Sequence, residues 1–215
     1  LFLLDEQGVP QAESDMALQK RLGCRIEWWN REKLEQRLPQ CRLGDYVGGT
    51  FGPDDGTMDP YAVLMAYKSK ARSLGASYIT DEVVKITTDR GCVSGVELAS
   101  GTTLGAKIVL NCAGPWAGEI ARTAGVEIPV VPVKRQVFAV DPKVKQDSLP
   151  RLTVLPSGLY MARETGGLML VSKTMDEDPV GFDFSWDDKR FMEMIWPELA
   201  EFIPELDTLK LMRGW

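Results

Sequence analysis

Hydrophobic and polar positions change period repeatedly along these 215 residues, and each change predicts a different element. Leu1 to Asp5 reads as a strand, followed by a turn around Gly8 and Pro10. Two short helices follow, one capped by Ser14 and stopping at Gly23, the other capped by Asn30 and ending before Pro39. Trp28 and Trp29, between them, read as packing of the connection. Gly48 to Gly56 is rich in Gly, Asp and Pro and reads as a loop. Asp59-Pro60 predicts a helix start, because Asp caps free N–H groups and Pro at the first helical position has none to leave unbonded. That helix carries a stripe of small residues, Ala62, Ala66 and Ser69, suited to close packing on a sheet, and ends at Leu74-Gly75.

Ala76 to Thr80 then reads as a strand. Val83 to Thr88, Val93 to Leu98 and Thr102 to Leu104, separated by glycine turns, read as an antiparallel meander. Ala106 to Cys112 contains an unbroken apolar run, Ile108-Val109-Leu110, of the kind found in parallel strands covered on both faces. A helix from Ala117 to Ala124 follows. Beyond Gly125 the pattern is of short β segments: Val130 to Val133, Gln136 to Val140, Leu152 to Leu155, Gly158 to Arg163 and Leu168 to Lys173, which suggest one antiparallel sheet. A final helix is expected to start at Ser185 with Asp188, break at Pro197 and continue to Phe202.

Composition narrows the function. A net charge of −6 and a pI near 4.9 argue against nucleic acid or an anionic membrane surface as partner, since both require clustered cations. No apolar run approaches the ~20 residues of a membrane helix. There is no histidine, which removes the usual general base and the commonest zinc ligand, so hydrolase and metalloenzyme chemistry are disfavoured. The four cysteines show no CxxC spacing, and a reducing compartment such as the cytoplasm is the simplest expectation. The chain opens without Met and stops at Trp215, and both ends read as cuts through ordered structure.

The order of the pieces carries a resemblance. Asp-Gly-x-x-Asp-Pro at Asp55 to Pro60, a helix, Gly75-Ala76, Val83 with Ile86, Gly95-Val96, Ser100-Gly101 and then Ile108-Val109-Leu110-Asn111-Cys112-Ala113-Gly114-Pro115-Trp116 is similar to the central signature of the D-amino-acid oxidase and sarcosine oxidase superfamily of FAD enzymes. With Pro129 to Trp215 taken as that family's substrate domain, the resemblance covers roughly two-thirds of the chain. It implies an α/β plus α+β fold, with part of an FAD-binding Rossmann-like domain (a parallel sheet with a β-meander) joined to an antiparallel-sheet substrate domain. The expected division is residues 1–47 for a substrate-domain part and connecting helices, 48–126 for a partial FAD domain, and 127–215 for the substrate domain.

The resemblance further implies the cofactor FAD, with Val83, Ala113, Gly114 and Trp116 against it, and a small amine or amino acid as substrate. Hydride leaves the carbon next to nitrogen for the flavin, and water hydrolyses the imine. Ala113-Gly114 is expected to leave room for a dinucleotide. Tyr160, Arg135 and Arg163 are the candidates for binding substrate. Strand alternation places Tyr160 and Ala162 on one face and Met161 and Arg163 on the other, which favours Tyr160 and leaves Arg163 as an exposed or interdomain charge. Arg135 stands before Gln136 where the family commonly has a small residue or His. Its guanidinium suits a substrate carboxylate or a structural ion pair. The GxGxxG loop that grips the diphosphate is absent from these residues, so the chain alone is expected to bind FAD poorly. Alternatives are a 2-hydroxyacid or glycerol-3-phosphate type of FAD dehydrogenase, or a non-catalytic assembly factor that retains the fold.

Overall fold

The computed structural model describes all of Leu1–Trp215. The chain forms two compact units, one made of Leu1–Thr57, Arg135–Asp178 and Asp183–Trp215, the other of Met58–Lys134 with Pro179–Phe182.

The first unit is built on eight strands: β1 (Phe2–Leu4), β2 (Glu27–Asn30), β3 (Gly48–Phe51), β7 (Phe138–Asp141), β8 (Leu152–Val154), β9 (Leu159–Arg163), β10 (Met169–Lys173) and β11 (Lys210–Gly214), with β4 to β6 in the second unit. Their order is β11-β7-β10-β9-β8-β1-β3-β2, antiparallel throughout except where Phe2 of β1 meets Val154 of β8. Alternation sorts the side chains. Leu3, Phe138, Val140, Leu159, Met161, Met169 and Val171 lie on one face and are buried. Over them pack Leu34 and Leu38 from helix α2 (Arg31–Arg37) and its end, with Ile195, Leu199 and Phe202 from the C-terminal helical segment. Each such side chain contributes about 1.5–3 kcal/mol on leaving water, so this one covered face holds the unit together.

The Gly48–Phe51 stretch, expected as a loop, is a strand whose glycines make room for neighbours. A Cβ on Gly49 would sit 2.7 Å from the Phe2 carbonyl oxygen, and one on Gly48 would run into the Trp28 indole. Pairing of β3 with β1 and β2 also carries residues 48–57 into this unit, so the boundary falls at Thr57 rather than at 47. Trp29 is buried against Phe51, ring centroids 4.3 Å apart, as the packing reading expected, whereas Trp28 stays exposed.

Helix α1 (Val9–Arg21) begins at Val9, with Pro10 in its first turn, and Ser14 lies inside it rather than capping it. The last helix is capped by Asp187, whose carboxylate accepts from Lys189 N at 2.9 Å, two residues later than Ser185. It runs through α5 (Asp188–Arg190), a π-helical turn at Phe191–Ile195 and α6 (Trp196–Phe202) without a break. Pro197 has no N–H for the usual i→i−4 bond and its ring crowds that carbonyl, so the backbone slips to a wider turn instead of stopping.

The second unit contains helix α3 (Pro60–Ser73), capped as expected by Asp59, which accepts from Tyr61 N at 2.9 Å and Ala62 N at 3.1 Å. The meander is also present, as β4 (Val83–Asp89), β5 (Cys92–Leu98) and β6 (Thr103–Gly105) in that order. Helix α4 (Ala117–Thr123) is tied to it through Thr123 Oγ1, which accepts from Ile86 N at 2.9 Å. Three expected strands are missing, one of them Val130–Val133, which keeps only an isolated bridge from Val133 to Val180. Ala76–Thr80 forms no ladder and Ala106–Cys112 has only the Ala106 N to Ser94 O bond at 3.0 Å, since β4, β5 and β6 pair only with one another. An unpaired run buries nothing, and Ile108 and Leu110 are 80% and 85% exposed. Nor does any residue of α3 become buried.

Candidate functional site

The second unit holds a cleft of about 790 Å³ that gathers Val83, Asn111, Ala113 and Trp116 with apolar side chains of β4, β5 and α4. Asn111 builds its wall: Oδ1 accepts from Ala113 N at 3.2 Å and Nδ2 donates to Ala117 O at 2.9 Å, clamping the turn before α4. An Asn three residues before a glycine that starts a turn is a recognisable Asx-turn signal, although its part here shows only once the turn is seen. Gly114 starts a single 3₁₀ turn, Gly114–Trp116, with φ +55°. No atom lies within 4 Å of where its Cβ would be, so the demand for glycine comes from the left-handed backbone and not from collision within these residues. Trp116 stacks on Phe182, centroids 5.1 Å apart and planes 16° from parallel. The stretch from Asn111 to Trp116 is accessible, as a ligand-facing segment requires, although it does not emerge from a paired strand.

The chemistry of the cleft accommodates an uncharged ring but not a diphosphate. Its only ionisable carboxylates are Glu82 and Glu119, and neither Lys nor Arg lines it. Valine and isoleucine side chains suit the face of an aromatic ring, whereas a diphosphate needs cations or free N–H groups.

In the first unit, β9 behaves as alternation requires. Tyr160 and Ala162 lie on the less covered face of the sheet, while Met161 is buried in the core. Tyr160 pairs with Ser172 and Val154, and Arg163 pairs with Met169 at the opposite end of the strand. Three residues of strand place Arg163 about 10 Å along from Tyr160 and on the other face. Its guanidinium lies 3.8 Å from Asp147.

Arg135 is placed differently. Val137 exchanges two backbone hydrogen bonds with Trp215, each 3.0 Å, which continues the β7–β11 ladder beyond Phe138. Ala139 opposes Leu170, Leu170 opposes Ala162, and both share the Tyr160 face, so residues of odd number entering β7 belong to that face as well. Arg135 therefore enters the sheet at the Tyr160 end, two residues before Val137. Its guanidinium is ion-paired with Asp178, a partner 43 residues away that no local pattern signals. Lys173 is taken by Glu198 at 2.7 Å. The structure thus brings Tyr160 and Arg135 to one end of the sheet and separates Arg163 from both.

The whole of residues 1–215 matches the model of the FAD dependent oxidoreductase family. The chain is 28% identical over 251 aligned positions to FAD-dependent oxidoreductase domain-containing protein 1 of Bos taurus, covering 100% of this chain and 51% of that protein. It is 30% identical over 207 positions to the mitochondrial dimethylglycine dehydrogenase of Homo sapiens, covering 85% of this chain and 24% of that protein. Among solved structures, the L-proline dehydrogenase of P. horikoshii superposes with a TM-score of 0.87 at 23% identity, covering 100% of this chain and 58% of that one. The fold class is shared, and the chain spans about half the length of the first of these relatives. By the family match over its full length, this chain is a member of the FAD dependent oxidoreductases.

Proposed function

We propose that the protein containing this chain oxidises the C–N bond of a small amino acid or amine, with Tyr160 and Arg135 meeting the substrate's carboxylate and Val83, Ala113, Gly114 and Trp116 bordering a ring of the FAD. The observation that supports this reading is that Arg135 enters the sheet at the end where Tyr160 stands. A phenol and a guanidinium together are a donor set for a carboxylate. Dimethylglycine and L-proline, the substrates named for two relatives, both carry a carboxylate beside the nitrogen.

When bound, the flavin supplies the hydride acceptor. The chain's own residues orient the substrate: Arg135 offers fixed, paired donors, Tyr160 a single rotatable one, and the apolar neighbours on the Tyr160 face exclude water from the reacting carbon. In the second unit, the cleft offers no Lys or Arg to a phosphate, so the diphosphate of a bound FAD would be held by residues other than those lining it.

The test is steady-state turnover of the full-length flavoprotein on paired amino-acid and 2-hydroxyacid substrates, with Tyr160→Phe and Arg135→Met beside the parent. Turnover of the amino acid, and a rise in KM of roughly ten- to a hundredfold in each variant, is the expected result. Preference for the hydroxyacid would replace the amine assignment.

A further inference from the structure

Resting on the reading of Arg135 as the group that binds the substrate carboxylate, the charges behind it go one step further. Asp178 lies just beyond β10 with its side chain 1% exposed. One of its oxygens is ion-paired with Arg135 and also accepts from Met175 N at 3.1 Å, while the other is ion-paired with Arg190 of α5. Arg190 donates as well to the Lys173 carbonyl at 3.2 Å and is 12% exposed, against 43% for Arg135. Gln136, next in sequence, accepts from Asp187 N at 2.8 Å through its side-chain Oε1, which ties this segment to the start of the same helix.

Two guanidinium groups share one carboxylate, so the cluster carries one uncompensated positive charge. A buried carboxylate serves first the guanidinium that is furthest from water, because an unpaired charge there is the costlier one. The excess is therefore presented at the more exposed guanidinium, that of Arg135, at the sheet end where Tyr160 stands. A single further carboxylate closes the set at two cations and two anions, and a second brings repulsion from Asp178.

We infer that Asp178 and Arg190 are positioning residues that hold the Arg135 guanidinium rigid and leave it one charge short, so that the site selects amine substrates bearing one carboxylate. Neither residue touches the substrate. They act by setting the orientation and net charge of the group that does.

The experiment uses the full-length flavoprotein and compares kcat/KM for proline with that for pyrrolidine, and for sarcosine with dimethylamine. Each pair differs by one carboxylate, so a variant that merely loosens the fold lowers both members alike. Arg135→Met, Asp178→Asn and Arg190→Gln are each expected to lower the carboxylate preference roughly ten- to a hundredfold, through KM and with kcat kept within about threefold. Arg190→Gln leaves Asp178 paired with Arg135 and so carries the test if Asp178→Asn does not fold. If Arg135→Met changes the preference but neither positioning variant does, the inference is overturned and the Arg135 assignment stands. If Arg135→Met changes nothing, the assignment itself fails. The parent protein gives an independent readout: acetate should compete with substrate more tightly than malonate, and the reverse order would overturn single-carboxylate selection.

Discussion

Replacing Phe138 with Ala tests whether the covered face of the eight-stranded sheet carries the stability of the first unit. Phe138 is fully buried on β7, between Phe191 at a centroid distance of 5.3 Å and Trp186 at 6.3 Å, and its strand leads directly out of Gln136 and Arg135. Truncation removes an aromatic side chain from a site enclosed by other rings, which cannot collapse without moving the helical segment that contributes Phe191. The expected cost is about 3–5 kcal/mol from lost transfer energy and cavity together. Against a net stability of about 5–15 kcal/mol for a domain, that is roughly a fifth of the total or more. Urea titration followed by circular dichroism should show the midpoint lowered by about 2 M, taking a slope of about 2 kcal/mol per molar. Phe138→Leu, which refills most of the space, should cost less than half as much. A loss below about 1 kcal/mol for the alanine variant would refute the packing argument, because it would mean that the space is already accessible or readily refilled.

Two further predictions follow from local geometry. Burial, with the Glu205 charge as the lesser cause, pushes the Cys41 thiol up from its ordinary 9.0 to about 12, while Cys24, Cys92 and Cys112 are exposed. Titration with an aromatic disulfide reagent at mildly alkaline pH should therefore label three thiols in the native chain and the fourth only on unfolding. Because the folded pKa is the higher one, the Cys41 contribution to stability is intact below pH 9 and lost as pH rises toward 12, so midpoints measured across that window should fall. In the meander, a Cβ on Gly95 would land on the Leu104 carbonyl oxygen and 3.0 Å from its carbon. Gly95→Ala should thus separate β5 from β6, seen as accelerated amide exchange at Val96 and Leu98, whereas Gly91→Ala, with nothing within 4 Å, should leave that pairing intact and act only through its positive φ.

Much of this fold could be read in the order of residues because its signals are local. Asn30 and Asp59 cap helices where their side chains reach the following N–H groups, and the alternation of Leu159 to Arg163 predicts which of them face the core. The misreadings come from partners distant in sequence. Gly48 and Gly49 look like a turn until Trp28 and β1 fill the space above them. The apolar run at Ile108 to Leu110 has the composition of a buried strand, but composition cannot supply the neighbours that make a strand. The candidate site divides the same way: alternation already separated Tyr160 from Arg163, whereas the Asp178 and Arg190 pairings behind Arg135 depend on a chain reversal that no motif marks.

The most direct check of the central claim is anaerobic mixing of the full-length, FAD-loaded protein with sarcosine, proline and D-amino acids while the flavin's visible absorbance is followed. Bleaching by at least one of these, at a rate that rises to a plateau with concentration, is what amine oxidation on this fold predicts. A flavin that stays oxidised across the whole panel, in a protein that demonstrably holds it, would contradict the account and favour a non-catalytic role for the fold.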